Sequence, residues 1–525
     1  MRHTKIVCTI GTKTVVGGLD RTLSEMVRAG MDVLRINMSY AQEGYPLERS
    51  IVDWARERSY RVGERSFALL ADLQGIKYRV RGLAGKKMDV PAGKPVRLID
   101  EGGAGGGDAG AIPLPHELYR NLVANLEAGM GPLKVYLGDG DIILFTEAVQ
   151  HDHVRCRVLV GGELKEGKGI TLQGIDVTPP DPLTEKDKKD IRFIVEHGGF
   201  TFVDLSFVQS GEDIRRLRRF MIEECGCEPR RVPPIIAKIE TLRGFQNLED
   251  ILDEAYGVMV ARGDLGLQVG VEQVTEIQKE IIHRCLLRAR PVVTATQMLE
   301  SMESSLEPRR AEASDIFNAV LDGTDALMLS GETSAGQHPV AAVAMMARIA
   351  TAAEDYLGRR HRSQPMHYLN RIRELQAEIM EREHDPERAQ VVGNLISHAA
   401  AVFASNPHLP IKAIITPTAS GRTCRLISRF RPLSMIVGVA HEDDVRHALV
   451  LSYGVIPIGI RKGPVNTVEQ IFGLALRQAA RRGLVRAGEQ VIFSGGYPMW
   501  QRATTNLIKL HHVTEEDVRL RPSAS

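Results

Sequence analysis

The chain has 525 residues, which is too long for one ordinary hydrophobic core, so two to four domains are expected. Apolar residues make up 43% of it and charged residues 25%, as in soluble globular proteins, and the formal net charge of +1 gives no global attraction to nucleic acid or to an anionic membrane. The six cysteines are scattered, which is not the pattern of a disulfide scaffold. The sequence contains no apolar run long enough to predict a membrane span, and no signal peptide is visible. We therefore expect a cytoplasmic protein.

Short apolar runs recur along the chain, and each ends in polar or charged residues. Runs of this kind are typical of strands buried on both faces of a parallel sheet, and most intervals between them carry helical patterns. Eight of them predict a (β/α)8 TIM barrel of the α/β class. They are IVCTI (6–10), DVLRINM (32–38), FALLADL (67–73), FVDLSFV (202–208), PIIAKIE (234–240), GVMVARGD (257–264), PVVTAT (291–296) and ALMLSGE (326–332).

The interval between the third and fourth strands is too long for a barrel loop. Its segments KVYLGDGDIILFTEAV and HVRCRVLVGGEL alternate like antiparallel strands. Residues 80–176 are therefore predicted to form an inserted all-β domain, a small β-barrel that could act as a lid over the larger one. Within it, EGGAGGGDAGA (101–111) is interpreted as a surface loop, because it lacks the lysine and the following helix of a phosphate-binding loop.

The remaining chain is divided as follows. Residues 1–79 and 177–356 are assigned to the catalytic barrel, and the charged stretch 357–389 to a helical connector. Residues 390–525 are predicted to form a C-terminal α/β domain of the effector-binding type. Its predicted strands are AIITPT (413–418), MIVGVA (435–440), VIPIGI (455–460) and VIFSGG (491–496).

Polar side chains at the carboxyl ends of the barrel strands form the candidate site, since barrel enzymes build their active sites there. Lys238 and Glu240 alternate on one strand and therefore share a face. Glu240 and Asp264, from neighbouring strands, could hold a hard divalent cation such as Mg²⁺. Arg35, Arg79 and Lys238 supply positive charge for a phosphoryl group. The other strand-end residues are Asn37, Ser39, Asp72, Lys77, Ser206, Arg262, Gly263, Thr296, Ser330 and Glu332.

Each of these residues also has a structural interpretation. A lone K-x-E at a strand end is more often a surface ion pair, and a single arginine is more often solvated than bound to phosphate. Their predicted gathering at one end of one barrel favours a functional site.

The motifs themselves carry a family resemblance. Six sequence blocks follow the order found in the pyruvate kinase family, which the chain resembles over nearly its whole length: TKIVCTIG (4–11), GMDVLRINMSYA (30–41), IIAKIE (235–240), VARGDLG (260–266), TATQMLESM (294–302) and DGTDALMLSGETSAGQHPV (322–340). The resemblance implies that phosphoenolpyruvate and ADP are converted to pyruvate and ATP. It also implies a Mg²⁺ cofactor, with Mn²⁺ as a substitute, and a homotetramer.

Site roles follow from the same resemblance, residue by residue. Lys238 is similar to the family's stabiliser of the transferring phosphoryl group, and Glu240 and Asp264 to its metal ligands. Thr296 matches a residue of the proton relay that converts enolpyruvate to pyruvate, and Arg35 matches the arginine at the substrate phosphate. Implied substrate-binding residues are Arg35, Ser206, Gly263, Asp264 and Thr296, and implied nucleotide-binding residues are Asn37, Arg79, Asp139 and Lys168.

The stretch LADLQGIKYRV (70–80) departs from the commonest family pattern, because Lys77 stands where most members have a glutamate. In those members, residues matching Asn37, Ser39 and Asp72, with the carbonyl of residue 73, belong to a K⁺ site. A tethered ammonium can supply the charge of such an ion. The chain thus resembles the potassium-independent branch, with Lys77 replacing K⁺ and held by carboxylates such as Asp72.

A further segment, TPTASGRTCRLISRFRP (416–432), resembles the family's effector loop. A turn of Ser, Thr and Gly that opens a helix can bind phosphate through its free N–H groups. Ala419 stands where members activated by fructose bisphosphate often carry a lysine, so a monophosphate effector is the expectation. Its expected contacts are Thr418, Ser420, Gly421, Arg422 and Thr423, and a plain helix cap is the alternative.

Two alternative functions stay open at this point. The first is a Mg²⁺-dependent lyase or aldolase that acts on pyruvate-like substrates, which would keep the paired carboxylates without requiring Lys238 beside them. The second is a catalytically inactive homologue that only binds ligands. Such homologues usually lack the lysine or a metal carboxylate, and this chain has all three.

Overall fold

The structure, a computed structural model, describes residues 2–102, 110–382, 388–406, 408–460, 467–497 and 505–519. Most of the glycine-rich EGGAGGGDAGA stretch, residues 103–109, lies outside the described residues. No helix in the described ranges is long and apolar enough to cross a membrane.

The first part of the chain alternates strands and helices and supplies three barrel strands. Its elements are β1 (Lys5–Ile10), α1 (Leu19–Ala29), β2 (Val33–Asn37), α2 (Pro46–Glu57), β3 (Arg61–Val62), β4 (Arg65–Ser66) and β5 (Ala68–Asp72). The next part is mainly β and interrupts the barrel: β6 (Lys87–Val90), β7 (Pro95–Asp100), β8 (Ala111–Leu114), α3 (His116–Glu127), β9 (Lys134–Leu137), β10 (Ile142–Val149), β11 (Val154–Val160), β12 (Gly162–Lys165) and β13 (Ile170–Leu172).

The chain then returns to the barrel and completes it. The elements are α4 (Glu185–His197), β14 (Phe202–Leu205), α5 (Gly211–Arg219), β15 (Ile235–Ile239), α6 (Leu242–Gln246), α7 (Leu248–Glu254), β16 (Gly257–Ala261), α8 (Arg262–Val269), α9 (Val271–Leu287), β17 (Val292–Ala295), α10 (Arg310–Asp322), β18 (Ala326–Leu329), α11 (Gly331–Ser334), α12 (Pro339–Ser363) and α13 (Pro365–Arg382).

The last part forms a separate sheet with flanking helices. It comprises α14 (Arg388–Ala404), β19 (Ile411–Pro417), α15 (Arg422–Ser428), β20 (Met435–Ala440), α16 (Asp443–Ala448), β21 (Val455–Gly459), α17 (Val468–Arg481), β22 (Gln490–Gly496), β23 (Thr505–His512) and α18 (Glu515–Val518).

Eight parallel strands close into a barrel in the order β1-β18-β17-β16-β15-β14-β5-β2. Each of the eight apolar runs contains one of these strands, so the barrel prediction is confirmed. The runs are mostly apolar because both faces of the strands are buried. On β2, Val33 packs in the barrel interior and the next residue, Leu34, packs in the core around the barrel. All strands therefore point their carboxyl ends, and the polar residues that follow, to the same mouth.

The inserted segment forms two sheets and one helix, which differs from the expected all-β barrel. Its six-stranded sheet has the order β13-β9-β10-β11-β7-β8, and β12 pairs with β6 in a separate two-stranded ribbon. Helix α3 forms because Leu118 and Leu122 lie one turn apart and bury one helical face against this sheet's core. The segment begins and ends near the barrel mouth, with Arg79 bridged to Gly169.

The C-terminal sheet has the order β21-β20-β19-β22-β23. The four predicted strands are confirmed as β19, β20, β21 and β22, which run parallel, and the sequence-based prediction missed β23, which pairs antiparallel to β22. The predicted connector region contains the end of α12 and all of α13.

The C-terminal domain closes the floor of the barrel. Ala448, Val450 and Leu451 pack into the same apolar cluster as Val7 and Val33 in the barrel interior. These three residues thus seal the end opposite to the polar mouth.

Polar contacts hold the same junction together. The Lys5 ammonium donates to the Val455 carbonyl at 2.7 Å. Arg431 pairs with Asp325 at 3.0 Å, with both side chains buried. Removing one partner of such a buried ion pair costs about 3–5 kcal/mol.

Candidate active site

A cavity of about 490 Å³ opens at the carboxyl ends of the barrel strands. Most of the predicted site residues line it. They are Arg35, Asn37, Ser39, Asp72, Lys77, Arg79, Ser206, Lys238, Glu240, Asp264, Thr296 and Ser330. The structure therefore brings together residues that are separated by as many as 295 positions in the chain, because parallel strands end at one mouth.

Lys238, which is almost fully buried on β15, lies at the centre of this cluster. Its ammonium donates to the Ser206 hydroxyl at 2.7 Å and lies 3.2 Å from Glu240 Oε1 and 3.3 Å from Asp72 Oδ1. Burial alone lowers the pKa of Lys238, but the two carboxylates outweigh burial and raise that pKa above its usual value. Lys238 is thus a permanent cation beneath the cavity.

Arg35 and Asp72 form a second buried pair beside Lys238. The Arg35 Nε donates to Asp72 Oδ2 at 2.7 Å, its terminal nitrogen Nη2 donates to the same oxygen, and Nη1 donates to the Thr9 hydroxyl at 2.6 Å. Burial raises the pKa of Asp72, but the charges of Arg35 and Lys238 outweigh it and hold that pKa below its usual value. Asp72 is therefore an anion that orients two cations.

Glu240 is held by a strained turn after β14. Phe207 has a φ of 56°, a left-handed conformation that is uncommon outside glycine, and its amide donates to Glu240 Oε2 at 2.6 Å. Burial raises the pKa of Glu240, the Lys238 ammonium opposes this rise, and the nearby Asp264 carboxylate adds to it. Glu240 and Asp264 therefore lie close enough for their charges to repel.

Lys77 pairs with Asp264, which corrects the expectation that Asp72 would hold it. The Lys77 ammonium donates to Asp264 Oδ1 at 2.8 Å and lies 3.6 Å from Asp139 Oδ1. Burial lowers the pKa of Lys77, but attraction to Asp264 outweighs it and raises that pKa. Lys77 pairs with Asp264 rather than with Asp72 because Arg35 and Lys238 already neutralise Asp72.

The other residues of the implied monovalent site are also bonded within the protein. Asn37 Oδ1 accepts the amide of Ser39 at 3.1 Å, and the Leu73 carbonyl accepts the Ser206 hydroxyl at 2.8 Å. Each of these oxygens accepts one hydrogen bond, and Asp72 is already neutralised by Arg35 and Lys238, so an added K⁺ would meet no uncompensated anion among these residues.

Thr296 stands at the end of β17 in a strained conformation. Its φ is 66°, which is a genuine outlier for a β-branched residue. Its hydroxyl accepts the amide of Gly263 at 3.0 Å, and its carbonyl accepts a terminal nitrogen of Arg262 at 2.6 Å. This frame fixes the threonine hydroxyl at the cavity wall, and Gly263 contributes through its backbone rather than as a lining side chain.

Two polar residues at the strand ends, Arg262 and Glu332, form hydrogen bonds with the backbone of nearby loops. Arg262 is buried and pairs with Asp315 at 2.6 Å. Glu332 accepts the amides of Leu299 at 2.9 Å and Ser330 at 2.7 Å. Both residues support the loops around the cavity without lining it.

The side of the site that faces the inserted domain has more exposed side chains than the barrel side. Arg79 donates to the Gly167 carbonyl at 2.7 Å, and Lys168 pairs with Asp141 at 2.9 Å. The Asp139 side chain is 88% exposed. Arg79, Asp139 and Lys168 are therefore held less tightly by the inserted domain than Lys238 is held by the barrel, whereas Asn37 lies at the end of barrel strand β2.

The predicted effector residues lie in the turn between β19 and α15 and in the first turn of α15, apart from this cavity. The Thr418 hydroxyl accepts the amide of Gly421 at 2.9 Å, and the Thr423 hydroxyl is 2.7 Å from that of Thr505. Gly421 has a φ of 75° and fits this turn because it carries no side chain.

Sequence reasoning missed Phe207 and Asp204. Phe207 carries no polar group, and its left-handed backbone left no signal in the sequence. Asp204 did leave one, since it is the only charged residue in the apolar run FVDLSFV, and the structure buries it completely inside the barrel.

Comparison with known families agrees with this geometry. Residues 1–343 match the family model described as "Pyruvate kinase, barrel domain", and residues 395–511 match the one described as "Pyruvate kinase, alpha/beta domain". A pyruvate kinase of Geobacillus stearothermophilus is 36% identical over 521 residues, which cover 98% of this chain and 81% of that protein. A pyruvate kinase of Staphylococcus saprophyticus is 33% identical over the same shares of the two chains.

A solved structure is similar as well. The crystal structure of a pyruvate kinase from Cryptosporidium parvum superimposes with a TM-score of 0.81 at 31% identity and covers 97% of this chain and 96% of the other. The likeness therefore extends over the barrel, the inserted domain and the C-terminal domain together.

Proposed function

The chain belongs to the pyruvate kinase family and is a phosphotransferase, and from this premise we propose that the cavity at the barrel mouth transfers the phosphoryl group of phosphoenolpyruvate to ADP with the help of Mg²⁺. One observation carries the proposal. The Lys238 ammonium lies between two carboxylates, at 3.2 Å and 3.3 Å, at the base of a cavity that Arg35 and Asp264 also line.

The donor set suits a divalent cation. Glu240 and Asp264 offer hard oxygen ligands on neighbouring strand ends, and their mutual repulsion would be relieved by a cation between them. No group of three or more possible ligand side chains is found among the described residues, so an ion held by Glu240 and Asp264 would take its other oxygens from substrate and water. When bound, Mg²⁺ would neutralise negative charge on the phosphoryl and enolate oxygens.

Arg35 and Lys238 would bind and orient the phosphoryl group of the substrate. Phosphoryl transfer needs positioning and charge stabilisation more than covalent chemistry. Both cations are fixed in advance by Asp72, so they need no rearrangement when charge develops on the transferring group. Lys238 remains protonated at neutral pH because its carboxylate partners raise its pKa.

Thr296 would carry a proton at its hydroxyl oxygen toward the enolpyruvate carbon. The amide of Gly263 holds that oxygen from one side at 3.0 Å, so the hydroxyl hydrogen is directed elsewhere. The inserted domain would cover the reacting groups and exclude water, with Arg79, Lys168, Asp139 and Asn37 as the proposed contacts to the nucleotide.

The test is a coupled assay for pyruvate and ATP with phosphoenolpyruvate, ADP and Mg²⁺. Both products should form in equal amounts, and omission of ADP or addition of a chelator should stop both. Pyruvate release without ADP would favour the lyase or aldolase alternative. Ligand binding without turnover would favour the inactive homologue.

We also propose that activity does not require K⁺. The support is that Arg35 and Lys238 already neutralise Asp72, and that the Lys77 ammonium lies in the same cavity as a fixed positive charge. Since Lys77 contacts Asp264, it would act from the side of the metal ligands. Full activity in potassium-free tetramethylammonium buffer is expected, and strong activation by added K⁺ would contradict the proposal.

Activation by a sugar monophosphate or AMP at Thr418, Ser420, Gly421, Arg422 and Thr423 is proposed from the family resemblance alone, and so is a homotetramer. Titration of these compounds against the initial rate should lower the half-saturating concentration of phosphoenolpyruvate. If no compound changes it, the turn acts only as a helix cap. Light scattering of the purified protein tests the tetramer.

A further inference from the structure

Asp204 lies inside the barrel, one step below the charged residues at its mouth. Alternation along β14 places Asp204 on the same face as Phe202, which belongs to the apolar interior, and the chain continues to Ser206, which lines the cavity. In the strand register, Asp204 stands opposite Asp72 of β5. Its side chain is fully buried.

Neither carboxylate oxygen of Asp204 has a hydrogen-bond partner in the part of the chain that the structure describes. The nearby cations are already engaged. Arg35 donates to Asp72, and Lys238 donates to Ser206 and lies 3.3 Å from Asp72. A buried ionised carboxylate without a donor is highly unfavourable, whereas a neutral carboxylic acid at the same place carries a much smaller desolvation cost.

The balance of charge in the cluster leads to the same conclusion. Of the charged residues that line the cavity or pair with one that does, the cations are Arg35, Lys77, Arg79 and Lys238, and the carboxylates are Asp72, Asp139, Glu240 and Asp264. The cluster is therefore neutral as long as Asp204 carries a proton. Ionisation of Asp204 would add one uncompensated negative charge below a site that must receive an anionic substrate.

We propose that Asp204 is held as a neutral carboxylic acid beneath Lys238 and Asp72, which leaves the positive charge of Lys238 and Arg35 directed at the substrate. The inference rests on the proposed role of these two cations in binding the phosphoryl group.

The groups that face Asp204 shift its pKa in opposite directions. Burial and the Asp72 carboxylate raise the pKa of Asp204, the cations of Lys238 and Arg35 lower it, and Glu240 raises it further, with a net rise well above the usual value. Asp204 therefore stays protonated below this raised pKa. As the pH rises through it, Asp204 ionises, draws Lys238 and Arg35 toward the barrel interior, and weakens substrate binding.

The first experiment is the isosteric substitution Asp204→Asn in the full-length protein, with Asp72→Asn as the matched control on the facing strand. Asp204→Asn keeps a neutral group, so kcat and the KM for phosphoenolpyruvate should stay within about threefold of the parent at neutral pH. The rise of KM at alkaline pH should also disappear. Asp72→Asn removes a true anion and should reduce kcat/KM by about a hundredfold or more.

The second experiment detects the proton directly and needs no turnover. Difference infrared spectra of the parent minus Asp204→Asn should contain the carbonyl stretch of a protonated carboxylic acid at neutral pH. If Asp204→Asn does not fold, Asp204→Ala takes its place in the infrared experiment, because it removes the carboxyl group and therefore its band.

Two results would overturn the proposal. One is a folded Asp204→Asn protein whose kcat/KM falls about tenfold or more at neutral pH, as expected if an anion had been lost. The other is a parent spectrum without the protonated band. Absence of ADP-dependent turnover in the parent protein would instead count against the proposed function, and the infrared result would still decide the state of Asp204.

Discussion

The mouth of the barrel and the turn after β19 in the C-terminal sheet both gather polar residues at the ends of parallel strands, but they use them differently. At the mouth, buried cations and carboxylates neutralise one another across four strands, as in the contacts of Lys238 with Asp72 and Glu240. In the C-terminal turn, hydroxyls bond locally, as Thr418 does with the Gly421 amide.

The polar groups at the barrel mouth are buried charges that need a ligand to explain them. The polar groups in the turn after β19 stabilise the turn itself. Buried charges are costly, so a cluster of them without a binding or catalytic role would be poorly explained. A hydroxyl that accepts a backbone amide three residues further along the same turn is explained by the stability of that turn. Substitutions should therefore have much larger effects on activity at the mouth than at the turn.

The largest effect is expected for Lys238→Met. Loss of the ammonium removes the preorganised charge at the transferring phosphoryl group, and kcat should fall on the order of 10³-fold. Binding of Mn²⁺, followed by electron paramagnetic resonance, should be largely spared. Lys87→Met is the matched control, because Lys87 is paired with Glu163 on the exposed β6–β12 ribbon of the inserted domain. Near-normal turnover of Lys238→Met would rule out the assigned role.

Asp264→Asn should have the next largest effect. It removes a metal ligand and leaves Lys77 without its carboxylate partner at 2.8 Å. The half-saturating Mg²⁺ concentration should rise at least about tenfold, since even outer-shell changes around metals cost this much. Asp322→Asn, at a carboxylate paired with Lys279 outside the site, controls for loss of a buried charge. An unchanged Mg²⁺ dependence would show that Asp264 is not a ligand.

Lys77→Glu should produce a smaller, conditional loss. In tetramethylammonium buffer, kcat/KM should fall about tenfold, because a fixed positive charge beside Asp264 becomes a negative one. Addition of K⁺ should restore most of the lost kcat/KM. Lys77→Met should lose activity without recovering in K⁺, because methionine offers no oxygen for the ion. Equal activity of Lys77→Glu with and without K⁺ would remove the proposed link between Lys77 and the monovalent ion.

Arg422→Ala should have the smallest effect. Without effector, kcat and KM should match the parent. With an activating monophosphate, the half-activating concentration should rise about threefold to tenfold, the usual net contribution of one hydrogen bond. Arg477→Ala on α17 serves as the surface control. A sensitivity to Arg422 as large as that to Lys238 would abolish the distinction between the two regions.

The barrel and its mouth could be predicted from sequence because their determinants are local. Near-continuous apolar runs specify strands buried on both faces, and parallel strands carry the following polar residues to one end. This reasoning placed Lys238, Glu240 and Asp264 around one cavity. Their catalytic roles remain predictions.

The elements that escaped prediction depend on tertiary contacts. Helix α3 was hidden among strand-like segments, and β23 has the mixed polar sequence TNLIKLHH, which gains strand structure only by pairing with β22. The partner of Lys77 depends on the chain direction after Gly75, whose φ is 66° and where an added Cβ would lie 2.6 Å from Ser206 Cβ. No pattern in the sequence encodes that direction.

The floor of the barrel has a consequence for biosynthesis. Ala448, Val450 and Leu451 complete an apolar cluster that begins with Val7 near the start of the chain. A nascent barrel whose ribosome has not yet reached residue 451 would expose Val7, Val33 and Phe202 to water at its open end. The last domain to be synthesised therefore completes the hydrophobic core of the first. A truncated or stalled chain would expose this apolar surface to chaperones and proteases.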